Sequence, residues 1–300
     1  MTSQIALRTV AATVLALLAF APVASAAQSP AAERAAIKAY WTTDRMANAV
    51  PRGLAKGKPG GGGSSATYTR SAVTNPLVGL NRTNGKVFMT FGRTNYVCSG
   101  TSIQSGNDSL VWTAGHCVFE KGTAKKPIGY ATNFLFVPAY DTGSEPLGRF
   151  AAATADLRTT DEYEASESFA YDVGAAKVGT SGGSSLAGVA GERPILFSAT
   201  DAQLQTDYVL YGYPVSSATG NGQRMWQCDT TFAAFDTSLT PPSIGVACNW
   251  PGGSSGGAWT RKSDGTLLAA TSYGYSGVKD RIYASRAGAS AAALYAAMQG

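Results

Sequence analysis

The chain has 300 residues, enough for one large domain or two small ones with a sizeable buried core. A charged fraction of 14% and 35 glycines suit an all-β protein with many turns. Residues 1–70 hold eight of the 24 lysines and arginines but only two of the 19 acidic residues. Residues 71–300 therefore have 16 basic and 17 acidic residues, and a net charge of −1. Nucleic-acid binding, which needs a basic surface on the mature domain, is therefore not predicted.

Residues 1–26 have the three parts of a secretory signal peptide. Arg8 supplies the positive charge, residues 10–20 form an apolar core, and residues 24–26 (Ala-Ser-Ala) form a small-residue cleavage site. The apolar core is too short for a comfortable membrane span, and no later stretch could cross a bilayer. We therefore predict a secreted, extracellular protein with no membrane association after cleavage. An uncleaved anchor is the alternative interpretation.

The next segment, residues 27–70, is typical of a prosegment with a linker. Residues 31–48 are Ala-rich with spaced apolar side chains and predict a helix, which Pro51 ends. Residues 53–65 contain four consecutive glycines, 60–63, and predict a flexible linker. A short helical piece on such a linker, directly behind a signal peptide, favours a prosegment. A disordered tail with one transient helix is the alternative.

From about residue 71 the pattern changes to short strands separated by turn residues. Strands are predicted at residues 86–91, 96–103, 110–114, 133–138, 150–157, 171–178, 208–213, 224–232, 267–273 and 281–284. Residues 105–108 (Ser-Gly-Asn-Asp) predict a hairpin turn between the second and third strands, and residues 287–298 predict a closing helix. Regularly spaced short strands without βαβ alternation favour a barrel or a sandwich.

The four cysteines predict two disulfides in an exported chain, with three possible connectivities. Cys98 with Cys117, and Cys228 with Cys248, would each close a short local loop. A zinc site is not predicted, because the chain has no C-x-x-C pair and only one histidine. We predict neither a metal nor a cofactor.

Two motifs indicate chemistry. Residues 251–259 (Pro-Gly-Gly-Ser-Ser-Gly-Gly-Ala-Trp) set serine among glycines, which allow sharp turns and can direct main-chain N–H groups at a developing oxyanion. Such a run alone is more often a loop or linker. The second motif, residues 113–117 (Thr-Ala-Gly-His-Cys), contains His116, the only histidine. A histidine base, a serine and an orienting carboxylate can share a proton path.

The order of these residues restricts the acid. Histidine precedes serine, which excludes the α/β-hydrolase order. An acid before His116 would have to be Asp44, in the predicted prosegment, or Asp108, in a tight turn. Among the aspartates that follow His116 we choose Asp172, because it opens a small, apolar, strand-like run in which an orienting carboxylate can be buried. A strand-initiating turn residue is the alternative role for it.

At this point the sequence resembles the chymotrypsin-like serine peptidases. The motifs follow the family's order over residues 80–290: 98–101 (Cys-Ser-Gly-Thr), 113–117, 171–174 (Tyr-Asp-Val-Gly), 253–257 (Gly-Ser-Ser-Gly-Gly) and 272–274 (Ser-Tyr-Gly). The resemblance implies an all-β fold of two six-stranded antiparallel barrels over residues 71–300, with a short C-terminal helix and a site between the barrels. The prosegment and the residue before the nucleophile resemble the bacterial branch that includes glutamyl endopeptidases.

Residue roles follow from this resemblance. It implies a catalytic triad of His116, Asp172 and Ser255, with the N–H groups of Gly253 and Ser255 as the oxyanion hole. It implies that Ser272, Tyr273 and Gly274 pair with an extended substrate backbone, that Ser272 touches Asp172, and that Asn249 lies at the substrate pocket. It also implies the pairings Cys98–Cys117 and Cys228–Cys248. The expected partners are protein or peptide substrates, and the expected state is a monomer.

Two departures from the trypsin branch matter. Ser254 stands where that branch has an acid before the nucleophile, and no carboxylate lies near Asn249 to bind Arg or Lys. Strong selection for a basic residue at the scissile bond is therefore not expected. The leading hypothesis is a secreted serine endopeptidase that is made as a zymogen. The alternatives are a catalytically silent binding module of the same fold and an esterase with the same triad.

Overall fold

The computed structural model describes residue 1 and residues 29–57, 67–278 and 280–300. The predicted signal peptide, apart from its first residue, and the predicted glycine run at 60–63 lie outside these residues. Within the described ranges, no helix has the length and apolarity needed to span a membrane.

The described chain is mostly β-structure, in 18 short strands. In chain order they are β1 Val50–Pro51, β2 Leu54–Lys56, β3 Thr69–Ala72, β4 Asn84–Phe91, β5 Thr94–Ile103, β6 Leu110–Thr113, β7 Phe119–Thr123, β8 Lys126–Tyr130, β9 Thr132–Pro138, β10 Phe150–Ala152, β11 Leu157–Thr159, β12 Gly174–Lys177, β13 Asp207–Gly212, β14 Trp226–Asp236, β15 Ser243–Ala247, β16 Ala258–Arg261, β17 Leu267–Tyr275 and β18 Arg281–Arg286. The helices are short: α1 Pro30–Tyr40, α2 Thr43–Ala47, α3 Asp161–Ser166, α4 Leu186–Ala190, α5 Asp201–Leu204 and α6 Ala289–Met298. Short 3₁₀ helices, one of them at Gly115–Cys117, connect some strands.

Two barrels organise these strands. The first has the strand order β10-β9-β4-β5-β6-β12-β11, in which every neighbouring pair is antiparallel. The second has the order β13-β16-β17-β18-β15-β14 and is closed by pairing between β13 and β14, with β3 added outside β14. The predicted all-β fold of two antiparallel barrels with a short C-terminal helix is confirmed.

Each barrel has its own apolar core, because inward-facing side chains of its strands meet inside it. Val87, Val111 and Phe136 are fully buried in the first core, and Leu210 and Trp259 are fully buried in the second. A third cluster joins the barrels and receives one face of α6. It contains Ile103, Trp112, Leu267, Leu294 and Met298. This cluster fixes the barrels against each other and thereby fixes the cleft between them.

The helical amino-terminal segment packs on the outer surface of the first barrel. Trp41 is 1% exposed, lies against Phe88 and donates a hydrogen bond from its indole to the carbonyl of Asn133 at 2.6 Å. Arg34 pairs with Asp156 at 2.5 Å. The single helix predicted for residues 31–48 is two helices, because burial of Trp41 turns the chain and the hydroxyl of Thr42 caps the second helix.

Candidate active site

His116 lies in the 3₁₀ turn that directly follows β6. The turn passes so close to its neighbours that a Cβ on Gly115 would lie 2.7 Å from Thr159 Oγ1 and 3.0 Å from Asp172 Oδ1. The disulfide Cys98–Cys117 connects the turn to β5. The second bridge, Cys228–Cys248, lies in the other barrel. The structure therefore has the two cysteine pairings that the family resemblance implied.

Asp172 meets His116 because β12, which starts two residues later, pairs with β6 in the register Gly174↔Thr113. The carboxylate is fully buried and accepts two hydrogen bonds from His116, from the backbone N–H to Oδ1 at 2.8 Å and from ring Nδ1 to Oδ2 at 2.8 Å. The hydroxyl of Ser272 also donates to Oδ2. Burial alone would raise the pKa of Asp172, but the charge and hydrogen bonds of His116, together with Ser272, outweigh burial and lower that pKa.

The loop that contains Ser255 lies against the same turn. The backbone N–H of Ser99, next to the bridged Cys98, donates to the carbonyl of Ser255 at 2.7 Å. A Cβ on Gly256 would lie 2.0 Å from Thr113 Oγ1, so only glycine fits between the serine loop and the end of β6. Ser255 and His116 are 3% and 1% exposed. His116 Nε2 is buried and has no hydrogen-bond partner among the described residues.

The predicted oxyanion loop is held by hydroxyl groups. Gly253 has φ of 90°, and its carbonyl accepts a hydrogen bond from the hydroxyl of Ser99 at 2.9 Å. The same hydroxyl accepts from the N–H of Tyr213 at 2.9 Å. The hydroxyl of Ser254 donates to the carbonyl of Pro251 at 2.6 Å. Sequence reasoning placed Ser99 in a motif but gave it no role, because its two partners lie in the other barrel.

A cleft of about 290 Å³ borders Ser255 and the residues predicted to bind substrate, Ser272, Tyr273 and Gly274, on β17. The indole of Trp250 also lines it, and the indole Nε1 is buried without a hydrogen-bond partner in the described structure. Asn249 does not line this cleft. Its carbonyl accepts a hydrogen bond from the guanidinium of Arg70.

Residues 50–56 of the amino-terminal segment cross the site. Strand β1 pairs in parallel with β5, and β2 pairs in parallel with β17 in the register Tyr273↔Leu54. Between them the carbonyl of Arg52 accepts a hydrogen bond from the N–H of Gly253 at 3.1 Å. The Arg52 guanidinium donates to the carbonyl of His116 at 2.6 Å and pairs with Glu120 at 2.7 Å. The residues that cross the site were not predicted, since nothing local in residues 50–56 indicates which strands they contact.

Comparison with solved structures places this geometry among known proteins, whereas no protein-family model and no curated protein matches the chain. The protease Anisep from Arthrobacter nicotinovorans is 33% identical and superposes with a TM-score of 0.68 over 77% of this chain and 99% of that one. The thermostable serine protease AL20 from an extremophilic microorganism is 32% identical, with a TM-score of 0.65 over 73% of this chain and 97% of that one. A Glu endopeptidase is 19% identical and shares the fold, with a TM-score of 0.60 over 77% of this chain and 96% of that one.

The fold is that of the two-barrel serine proteases. The chain belongs to the family of bacterial chymotrypsin-fold serine proteases, as its identity to Anisep over nearly the whole of that chain shows.

Proposed function

We propose that the mature protein is a secreted serine endopeptidase that uses Ser255, His116 and Asp172. The observation that carries this proposal is the buried double contact of Asp172 with the backbone and ring of His116, beside the loop of Ser255. A carboxylate in this position holds the proton on Nδ1 and stabilises the imidazolium that forms during the reaction. Nε2, which has no hydrogen-bond partner among the described residues, is then the nitrogen available to accept a proton from a serine hydroxyl.

The reaction follows from these positions. Ser255 Oγ attacks the scissile carbonyl carbon while His116 Nε2 takes its proton. The N–H groups of Gly253 and Ser255 donate to the oxygen as it becomes negative. His116 then gives the proton to the leaving nitrogen, and a water molecule repeats the attack on the acyl-enzyme with His116 again as base. Because its pKa is lowered, Asp172 stays ionised through both steps.

We also propose that the protein is made as a zymogen whose amino-terminal segment blocks this cleft. His116 must reach the leaving nitrogen, so the leaving part of a substrate lies on the side of His116 and β5, and the acyl part lies along β17. The segment runs the opposite way, with residues 50–51 on β5 and residues 54–56 on β17. If the carbonyl of Arg52 were attacked, the leaving nitrogen would be that of Gly53. From this nitrogen the segment continues towards β17, away from His116, which is the general acid. The segment therefore occupies the site without being a substrate.

The proposal is tested on the secreted form, whose first residue is identified by amino-terminal sequencing. We expect a fluorophosphonate to label the wild-type protein and casein to be hydrolysed. Ser255→Ala should abolish labelling and lower turnover on the order of 10⁶-fold, and His116→Ala should lower turnover nearly as much. Ser254→Ala is the matched control and should keep labelling. If Ser254→Ala were inactive and Ser255→Ala active, the nucleophile would be assigned one residue too late.

The same experiment separates the alternative functions. A silent binding module would fold and show neither labelling nor hydrolysis. An esterase would be labelled and would hydrolyse a short-chain ester but not casein. Hydrolysis of casein that disappears with Ser255→Ala agrees only with the endopeptidase.

A further inference from the structure

Asp236 is a buried carboxylate beside the cleft that the proposed chemistry does not use. It lies at the end of β14 and is 8% exposed. The hydroxyls of Tyr273 and Tyr275 donate to its Oδ2 at 2.5 and 2.6 Å, and the hydroxyl of Ser238 donates to its Oδ1 at 2.6 Å. Four donors, including the N–H of Ser238 at 3.1 Å, thus surround one carboxylate. Burial would raise the pKa of Asp236, but these hydrogen bonds outweigh burial and lower it, so the group is an anion.

This anion already holds a cation from the amino-terminal segment. The ammonium of Lys56 lies 3.3 Å from Asp236 Oδ2 and donates to the hydroxyl of Ser238 at 2.6 Å. It also lies over the rings of Tyr273 and Tyr275, at 5.6 and 5.3 Å from their centres. A carboxylate, a hydroxyl and nearby aromatic rings are groups that recognise an alkylammonium or a guanidinium.

The position of this group along β17 relates it to the substrate. A substrate strand with its acyl side on β17 runs antiparallel to it, one residue for each residue of the strand. If the residue before the scissile bond lies beside Ser272, the third and fourth residues before that bond lie beside Gly274 and Tyr275. Tyr275 donates to Asp236 and also pairs with Lys56, and Gly274 lies in the chain between the two tyrosines that donate to Asp236.

We propose that Asp236, Ser238, Tyr273 and Tyr275 form a subsite that selects Lys or Arg at the third or fourth substrate residue before the scissile bond. The proposal rests on the proposed peptidase function and names the substrate class of that same cleft. It concerns a different position from the pocket beside Ser255, where no basic preference is expected. Lys56 occupies the subsite in the zymogen, and removal of the segment opens it to substrates.

The test uses the active form recovered from the culture and a set of fluorogenic peptides. The peptides are identical except that the third or the fourth residue before the cleaved bond is Lys, norleucine or Glu. Norleucine retains the apolar stem of Lys without its charge. At one of the two positions, we expect kcat/KM to be about tenfold higher for Lys than for norleucine, and lower again for Glu. The ratio of Lys to norleucine should fall as salt is added, because screening weakens the charge contact.

Two matched variants assign the effect. Asp236→Asn removes the charge inside the subsite and should bring the Lys-to-norleucine ratio close to one. Asp229→Asn removes a charge from the same strand, where Asp229 pairs with Lys262 at 2.8 Å, and should leave the ratio within about twofold of wild type. If Asp236→Asn does not fold, the ratio and its salt dependence in the wild-type enzyme still decide the question.

The possible outcomes are distinct. Equal cleavage of Lys and norleucine peptides at both positions overturns the subsite and means that Asp236 only anchors the segment, while the peptidase function stands. A preference for Lys that persists in Asp236→Asn also overturns it. If no peptide is cleaved and the fluorophosphonate does not label the protein, the proposed function fails, and the subsite fails with it.

Discussion

The crossing segment gives a sharp prediction at Gly53. A Cβ on this residue would lie 2.9 Å from Gly252 Cα and 3.9 Å from Ser255 Oγ, so either the segment or the oxyanion loop must move when alanine replaces it. Overpacking of a close contact costs about 1–3 kcal/mol. Since each 1.4 kcal/mol changes an equilibrium constant tenfold, Gly53→Ala should raise the open fraction of the proposed zymogen by about 5- to 150-fold.

The assay is the rate at which a fluorophosphonate labels the intact precursor, with intact mass recorded at each time to exclude processed protein. This rate is proportional to the open fraction when opening is fast. Gly57→Ala is the control, because a Cβ there meets no atom within 4 Å although the residue is in the same segment. If Gly53→Ala and Gly57→Ala are both labelled at the wild-type rate, the segment does not cover Ser255 in solution and the proposed latency is wrong.

Three further predictions concern the site and its surroundings. Asp172→Asn should lower kcat by about 10⁴-fold with little change in the binding of a substrate-like inhibitor, because the amide cannot hold the Nδ1 proton of His116. The lowered pKa values of Asp172 and Asp236 mean that folding stabilises their ionised forms. Their contribution to the free energy of unfolding should therefore be complete above the unfolded carboxyl pKa near 4 and be lost as the pH falls below it. The measurement is the melting temperature between pH 7 and pH 2. Ser99→Ala leaves the carbonyl of Gly253 and the N–H of Tyr213 without their buried partner. It should therefore lower the free energy of unfolding by about 1–3 kcal/mol and lower kcat by about 10- to 100-fold. An unchanged kcat would show that other contacts hold the oxyanion loop.

Local pattern was sufficient for much of the fold. The ten predicted strand segments overlap observed strands. They could be predicted because the signals for a strand, its pattern of side chains and the turn residues at its ends, lie within a few positions of each other in the sequence. The predicted hairpin turn at 105–108 is present, with Asp108 at φ of 54°. The segment predicted as one strand at 150–157 is two strands separated by a 3₁₀ turn. The reason is that β10 and β11 are the two edge strands of the first sheet, so the chain must cross from one edge to the other between them.

Strands that depend on tertiary contacts were not predicted. The β7–β8 hairpin has a mostly polar surface, so its sequence has no apolar alternation over most of its length. Strand β16 begins inside the Gly-rich motif, where the glycines indicate a loop rather than a strand. It is a strand because it pairs with β13 on one side and β17 on the other, and these pairings are not visible in the local sequence. The environment of Asp236 was not predicted for the same reason, since the two tyrosines that donate to it, Tyr273 and Tyr275, are 37 and 39 residues away in the chain.

The contacts around the oxyanion loop give a prediction for the mature amino terminus. In the trypsin branch a charged amine would pair with an acid before the nucleophile, whereas here the uncharged hydroxyl of Ser254 donates to Pro251 and that of Ser99 to Gly253. An amine is therefore not required, and forms that start at residues 61, 64 or 67 should have similar kcat/KM on one peptide. A form that starts at residue 73 lacks β3, which pairs with β14, and should be less stable by about 2–4 kcal/mol because its backbone hydrogen bonds are lost. Activity confined to one start position, and abolished when the new amine is acetylated, would instead require an amine-anchored mechanism.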